Sequence, residues 1–185
     1  MSNKIKHIMS TFNIPTKAEV NEANQAIFDS LEKQLGFVPN LFATYAYSNN
    51  ALKNYLDFAG APSSLKAKEK EAINLAVSQV NGCDYCLAAH TAISKMSGFD
   101  DAQIIELRQG KASFDNKLDA IARLAKNITE NRGNTDADVL ENFFNAGWTK
   151  ENLIDAISLV GDKTISNYIN NTVKTKIDFP EAKAI

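Results

Sequence analysis

Sulfur and imidazole are scarce in this chain: its 185 residues include two cysteines and two histidines. Helix breakers are sparse as well, with four prolines and eight glycines. A sandwich or barrel needs closely spaced turns, and no segment alternates apolar and polar residues over a useful strand length, so the class is all-α. An excess of charge is also missing. With 20 basic and 22 acidic residues the net charge is −2, and no basic stripe is present to attract a phosphate backbone, so nucleic acid is not an expected partner. No apolar run reaches the length of a membrane span, and the opening "MSNKIKHIMSTFNIPT" lacks the apolar stretch of a signal peptide. The expectation is a cytoplasmic protein with no membrane partner. Thiols in that compartment are kept reduced, so two cysteines three apart point to metal binding or redox cycling and away from a structural staple.

The remainder is ordinary globular material, 44% hydrophobic and 23% charged. This length suits a single domain over residues 1–185, with 1–15 a loosely ordered N-terminal segment. A helix is expected over about 17–35, ending at Gly36, and a second from Pro39 through "NLFATYAYSNNALKNYLDFAG" to Gly60. In the third, "LKAKEKEAINLAVSQV", Ala72, Ile73, Ala76, Val77 and Val80 fall on one face. Asn81-Gly82 interrupts it. A fourth runs from Cys83 or Asp84 to Ser97, with Gly98 as its C-terminal cap. Asp100 with Gln103, Thr135 with Asp138 and Thr149 with Asn152 have the spacing of capping boxes and start three more, and another spans about 115–131 before Gly133. A faint internal echo at an offset of 80 lays "EAINLAVSQVNGCDYCLAAH" on "ENLIDAISLVGDKTISNYIN". Read as a duplicated helical unit, it puts Ser166 and Asn170 where Cys86 and His90 stand, so the second copy would keep the fold and lack the chemistry.

Both cysteines and one histidine lie in "NGCDYCLAAH", residues 81–90. On a helix beginning at the first cysteine, Cys83, Cys86 and His90 share a face, so the two sulfurs can close into a disulfide and the imidazole can reach Cys86. The first turn of a helix also favours a thiolate, through its unpaired N–H groups and the positive end of its dipole. Had the third helix continued straight, Glu71 would lie ~18 Å from Cys83. A helical hairpin at Asn81-Gly82 instead brings Glu71 on one arm to the depth of His90 on the other. A carboxylate on one imidazole nitrogen leaves the other to exchange a proton with Cys86, which makes Glu71, His90 and Cys86 a possible relay with Cys83 as the second thiol. Other readings stay open at this point: Glu71 as a solvated helix charge, His90 as a packed core residue, Tyr85 as packing, or a zinc site of Cys83, Cys86, His90 and Glu71 that lacks the usual second ligand pair.

The spacing of Glu71, Cys83, Cys86 and His90, with "SGF" shortly after, resembles the alkylhydroperoxidase D-like branch of the carboxymuconolactone decarboxylase superfamily. "GFVPNLFATYAYSNNAL" and the stretch from "GWTKENLIDAI" to "KIDFP" resemble the flanking parts of its peroxidase-related members. The resemblance implies an all-helical protein that reduces hydroperoxides without haem, flavin or metal. Cys86 would be oxidised to a sulfenic acid that condenses with Cys83 to a disulfide, with Glu71 and His90 as proton relay. Cys83, nearer the helix start, would be the more accessible sulfur for an external thiol or dithiol reductant, such as a lipoylated or thioredoxin-like protein. Homo-oligomers, trimers or hexamers, are implied too. Tyr85 departs from members with histidine between the cysteines, because a phenol is no base at neutral pH. Lys66 stands where a Ser or Thr cap is usual. The competing functions are a C-x-x-C disulfide reductase or redox sensor, a lactone decarboxylase, and a zinc-binding scaffold.

Overall fold

The computed structural model describes residues 12–185; residues 1–11, most of the segment expected to be loosely ordered, lie outside the described residues. Among the described residues there is no strand, as the scarcity of turns and of alternating runs required. A 3-10 turn at Lys17–Glu19 precedes nine helices: α1 Glu22–Leu35, α2 Asn40–Tyr45, α3 Ala51–Ala59, α4 Ala67–Val80, α5 Asp84–Met96, α6 Asp101–Arg108, α7 Asn116–Glu130, α8 Ala137–Asn145 and α9 Lys150–Val173. They form two compact units. One holds the described residues up to Ala61 with Ile169–Asp178, and the other holds Pro62–Tyr168 with Phe179–Ile185.

In the first unit the expected helix from Pro39 to Gly60 is two helices. The break falls in "YSNN", where the Ser48 hydroxyl accepts from the N–H groups of Asn50 and Ala51 and so starts α3 afresh. Buried Asn24 of α1 donates from Nδ2 to the carbonyls of Ala46 and Ser48 and fixes that break in place. The first expected helix is also divided, since α1 begins only at Glu22, where the Asn21 side chain accepts from the N–H of Asn24.

In the second unit the departure from expectation is α4. An amphipathic helix with one apolar face was expected, yet every residue from Glu71 to Ser78 is buried. The cause is its position: α5, α6 and α7 all pack against it. Its Ala72, Ile73, Leu75, Ala76 and Val77 share one core with Leu118, Ile121 and Leu124 of α7, Phe143 of α8, Trp148, and Ala156 and Val160 of α9. A helix buried all round should be apolar all round. Three of its buried residues are polar, Glu71, Asn74 and Ser78, at spacings that put them on one face. That face is a polar seam inside the core.

The α4 start has no side-chain cap from Lys66; the Lys66 N–H donates to the Glu69 carboxylate at 2.6 Å, half of a capping box. Asp100 and Thr149 cap α6 and α9 as their spacing required, and Asp115 caps α7. Helix α8 starts one residue later than Thr135 implied, with Asp136 at its N-cap. Helix α9 runs unbroken through Gly161-Asp162, the positions that the internal echo lays on Asn81-Gly82. No hairpin therefore forms at the echoed positions.

Candidate active site

The α4–α5 connection is built by three residues. Gly82 has φ 61°, the left-handed conformation that glycine adopts most cheaply. Its N–H donates to the Gln79 carbonyl at 3.2 Å, and the Cys83 N–H donates to the Ser78 carbonyl at 3.0 Å. This pair of bonds is a Schellman closure of α4. Cys83 is then also the N-cap of α5, its Sγ accepting from the N–H of Cys86 at 3.2 Å. One residue ends the first helix with its backbone and begins the second with its sulfur. The Cys83 and Cys86 sulfurs are joined as a disulfide, with Cα atoms 5.3 Å apart.

Cys83 is 0% exposed and Cys86 2%. The expected accessibility of Cys83 is therefore corrected: its N–H is bound back to α4 and its sulfur is folded over the first turn of α5, so neither sulfur faces solvent. Tyr85, between them, is buried with its ring edge-on to Phe179 at 5.7 Å. Packing is the role this contact shows.

The hairpin brings Glu71 to His90. Glu71 Oε2 lies 2.9 Å from His90 Nδ1 and also accepts from Ser94 Oγ at 3.3 Å, while Oε1 accepts from Asn74 Nδ2 at 2.9 Å. Glu71 is 6% exposed, so it is not a solvated helix charge. Burial alone would raise the Glu71 carboxyl, but His90, Asn74 and Lys163 together hold it below its ordinary value. His90 is also held below its ordinary value, first by burial and then by the positive charge of Lys163, against the opposing pull of Glu71 and Asp162. The pair is thus carboxylate and neutral imidazole. A carboxylate only accepts, so Nδ1 carries the ring proton and Nε2 is left as a base. His90 is one turn beyond Cys86 on α5.

Four partners of this pair were not singled out in the sequence. Asn74 and Ser94 stand at helical spacings from Glu71 and His90, three and four residues on, and that spacing was the available signal. Asp162 and Lys163 carried none: "GDK" reads as a solvated charge pair, whereas both residues are buried on α9. Among the described residues no three His, Cys, Asp or Glu side chains converge to hold a metal ion. No helix of the described residues is long and apolar enough to cross a membrane.

Residues 47–127, which contain Glu71, Cys83, Cys86 and His90, match the carboxymuconolactone decarboxylase family model. No curated protein matches the chain. Among solved structures, the chain is similar to an alkylhydroperoxidase AhpD core, a peroxidase-related protein from Ralstonia eutropha JMP134, at 21% identity over 90% of this chain and 91% of that one, with a TM-score of 0.81. A peroxidase-related protein from Silicibacter sp. TM1040 gives 23% identity, coverage of 89% and 90%, and a TM-score of 0.77. The debrominase Bmp8 gives 16% identity, coverage of 85% and 87%, and a TM-score of 0.70. At these identities the structures share a fold with the chain.

Proposed function

We propose that this chain is a member of the carboxymuconolactone decarboxylase superfamily in its alkylhydroperoxidase D-like form, a reading that the match over residues 47–127 and the similar folds support, and that it is a thiol-dependent peroxidase of a reducing compartment such as the cytoplasm. In the reduced enzyme His90 Nε2 takes the proton of the Cys86 thiol. The thiolate attacks the terminal oxygen of a hydroperoxide, the O–O bond breaks, and the leaving alkoxide takes the proton back from His90. Cys86 is now a sulfenic acid. The Cys83 thiolate attacks its sulfur, the S–O bond breaks and, with one proton, water leaves. An external dithiol, on a lipoylated or thioredoxin-like protein, then reduces the disulfide and is itself oxidised. Glu71 holds the imidazole in the tautomer that the first step needs.

The observation that carries this reading is a carboxylate-bound, neutral imidazole one helical turn from a C-x-x-C pair whose sulfurs already stand at bonding distance. The test is a thiol titration before and after one equivalent of hydroperoxide. Two thiols per chain should be lost within the mixing time of a manual assay. Unchanged thiols would sink the peroxidase reading, and thiols lost only when a disulfide-bearing protein is added would favour the reductase or sensor.

The proposal extends to a homo-oligomer, a trimer or hexamer. Supporting it is an apolar stripe along α9, where Ile154, Ile157, Ile165 and Tyr168 are all exposed. A stripe of this length on one helix face is more than scattered surface hydrophobes. Sedimentation of the double variant Ile157→Asp, Ile165→Asp should give monomer where the wild type gives the assembly; a monomeric wild type would refute this part.

A further inference from the structure

The polar seam of α4 is faced by α9. The Ser64 N–H, just before α4, donates to Asp155 at 2.6 Å, and at the other end Asn167 Nδ2 donates to Ser78 Oγ at 3.3 Å while Asn81 Nδ2 donates to Asn167 at 2.9 Å. These bonds run the two helices in the same direction and set their register. In that register Lys163 is level with Asn74, one turn along from Glu71. Lys163 and its neighbour Asp162 are 6% and 5% exposed, and one Asp162 carboxylate oxygen has no hydrogen-bond partner among the described residues. Two buried carboxylates, Glu71 and Asp162, thus share their surroundings with two buried bases, His90 and Lys163. Buried anions persist where a cation balances them. Burial pulls the Lys163 amine below its ordinary value against the opposing pull of Asp162 and Glu71, but it lowers His90 too, and an amine starts about four powers of ten more basic than an imidazole, so the first proton belongs to the lysine.

We propose that Lys163 is the resident cation of the Glu71–His90 pair: its ammonium balances the carboxylates of Glu71 and Asp162, so that His90 needs no proton to do so and stays available as the base. Lys163 is in this account a positioning residue, acting through His90. The groups that bear on the imidazole are then Glu71 from α4 and Asp162 and Lys163 from α9. The same positive charge both steadies Glu71 as carboxylate and opposes the imidazolium form. The consequence for catalysis, though not the charge assignment itself, rests on the peroxidase reading.

The test is a proton-NMR titration of the full-length oxidised chain carrying His7→Gln, so that His90 supplies the one imidazole signal. Lys163→Met should move the His90 titration midpoint upward, because the imidazole inherits the task of balancing the carboxylates. Lys163→Arg, which keeps the charge, should leave the midpoint near that of the parent. An unmoved or lowered midpoint in a folded Lys163→Met chain overturns the proposal, as does an arginine variant that shifts as far as methionine. Lys163→Gln, with a polar head, replaces methionine if that variant does not fold, and the same outcomes apply to it. In parallel the acid limb of peroxide reduction should move, with a loss of rate that approaches about tenfold at pH values well below both midpoints and recovery at pH 8, for one pH unit of displacement. A shifted midpoint in a chain without peroxide activity would support the cation and refute the peroxidase.

Discussion

Cys86→Ser should abolish hydroperoxide reduction, lowering the rate roughly ten-thousand-fold or more, because the variant removes the nucleophile that His90 serves. Cys83→Ser should behave differently. It should consume one equivalent of peroxide and stop, leaving a sulfenic acid on Cys86 that a dione reagent captures and mass spectrometry assigns. The contrast is informative because helix geometry alone does not separate the two sulfurs. The N–H of Cys86 is directed at Cys83 Sγ, so the field of the helix end favours a thiolate on Cys83 as well. What singles out Cys86 is the imidazole one turn further along the same helix. A dione adduct on Cys83 in the Cys86→Ser chain, with peroxide still consumed, would reverse the roles.

Glu71→Gln should cost about a hundredfold to ten-thousandfold in rate while leaving the chain folded. An amide in place of the carboxylate can offer a donor to His90 Nδ1. The ring then moves its proton to Nε2, and the base proposed to serve Cys86 is lost. Glu71→Ala should unfold more easily besides, since it strands the donors of Asn74, Ser94 and His90 inside the core; about 3 kcal/mol is expected in urea unfolding. The pH dependence has a definite sign. His90 is held below its ordinary 6.5, so the unfolded chain binds that proton first, and stability present above this value falls as the pH drops through it. Glu71, held below its ordinary 4.5, adds a second loss of the same sign at lower pH. A Glu71→Gln chain as active as the wild type at neutral pH would remove Glu71 from the mechanism.

The placement of Glu71, Cys83, Cys86 and His90 was legible in the sequence to an unusual depth, for a physical reason. Cys83, Cys86 and His90 lie within one short helix, and a single Asn-Gly turn relates them to Glu71, so spacing and the rise of a helix carry most of the geometry. Helix starts were legible where a side chain does the capping, as at Asp100, Asp115 and Thr149. The misreadings arose where tertiary contacts decide. Lys68 and Lys70 are charged neighbours of Glu71 and suggested an exposed stretch, but four elements close over α4 after its first turn. The long helix expected after Pro39 broke at Ser48, whose hydroxyl competes with the backbone for hydrogen bonds. Lys163 reaches the site through the register of two helices far apart in the chain, and local spacing holds no record of that.

The sealing of the disulfide has a consequence for turnover. Under the proposed chemistry the two half-reactions meet the same pair of sulfurs but bring partners of very different size. A hydroperoxide is small enough to arrive through side-chain fluctuations, whereas a thiol carried on another protein must touch a sulfur that is 0% or 2% exposed. Reduction therefore waits for the first turn of α5 to lift from α4, which means releasing the bonds by which Cys83 closes one helix and caps the next. The oxidative step can be fast while the cycle is slow, and the steady-state rate then measures how often the hairpin breathes.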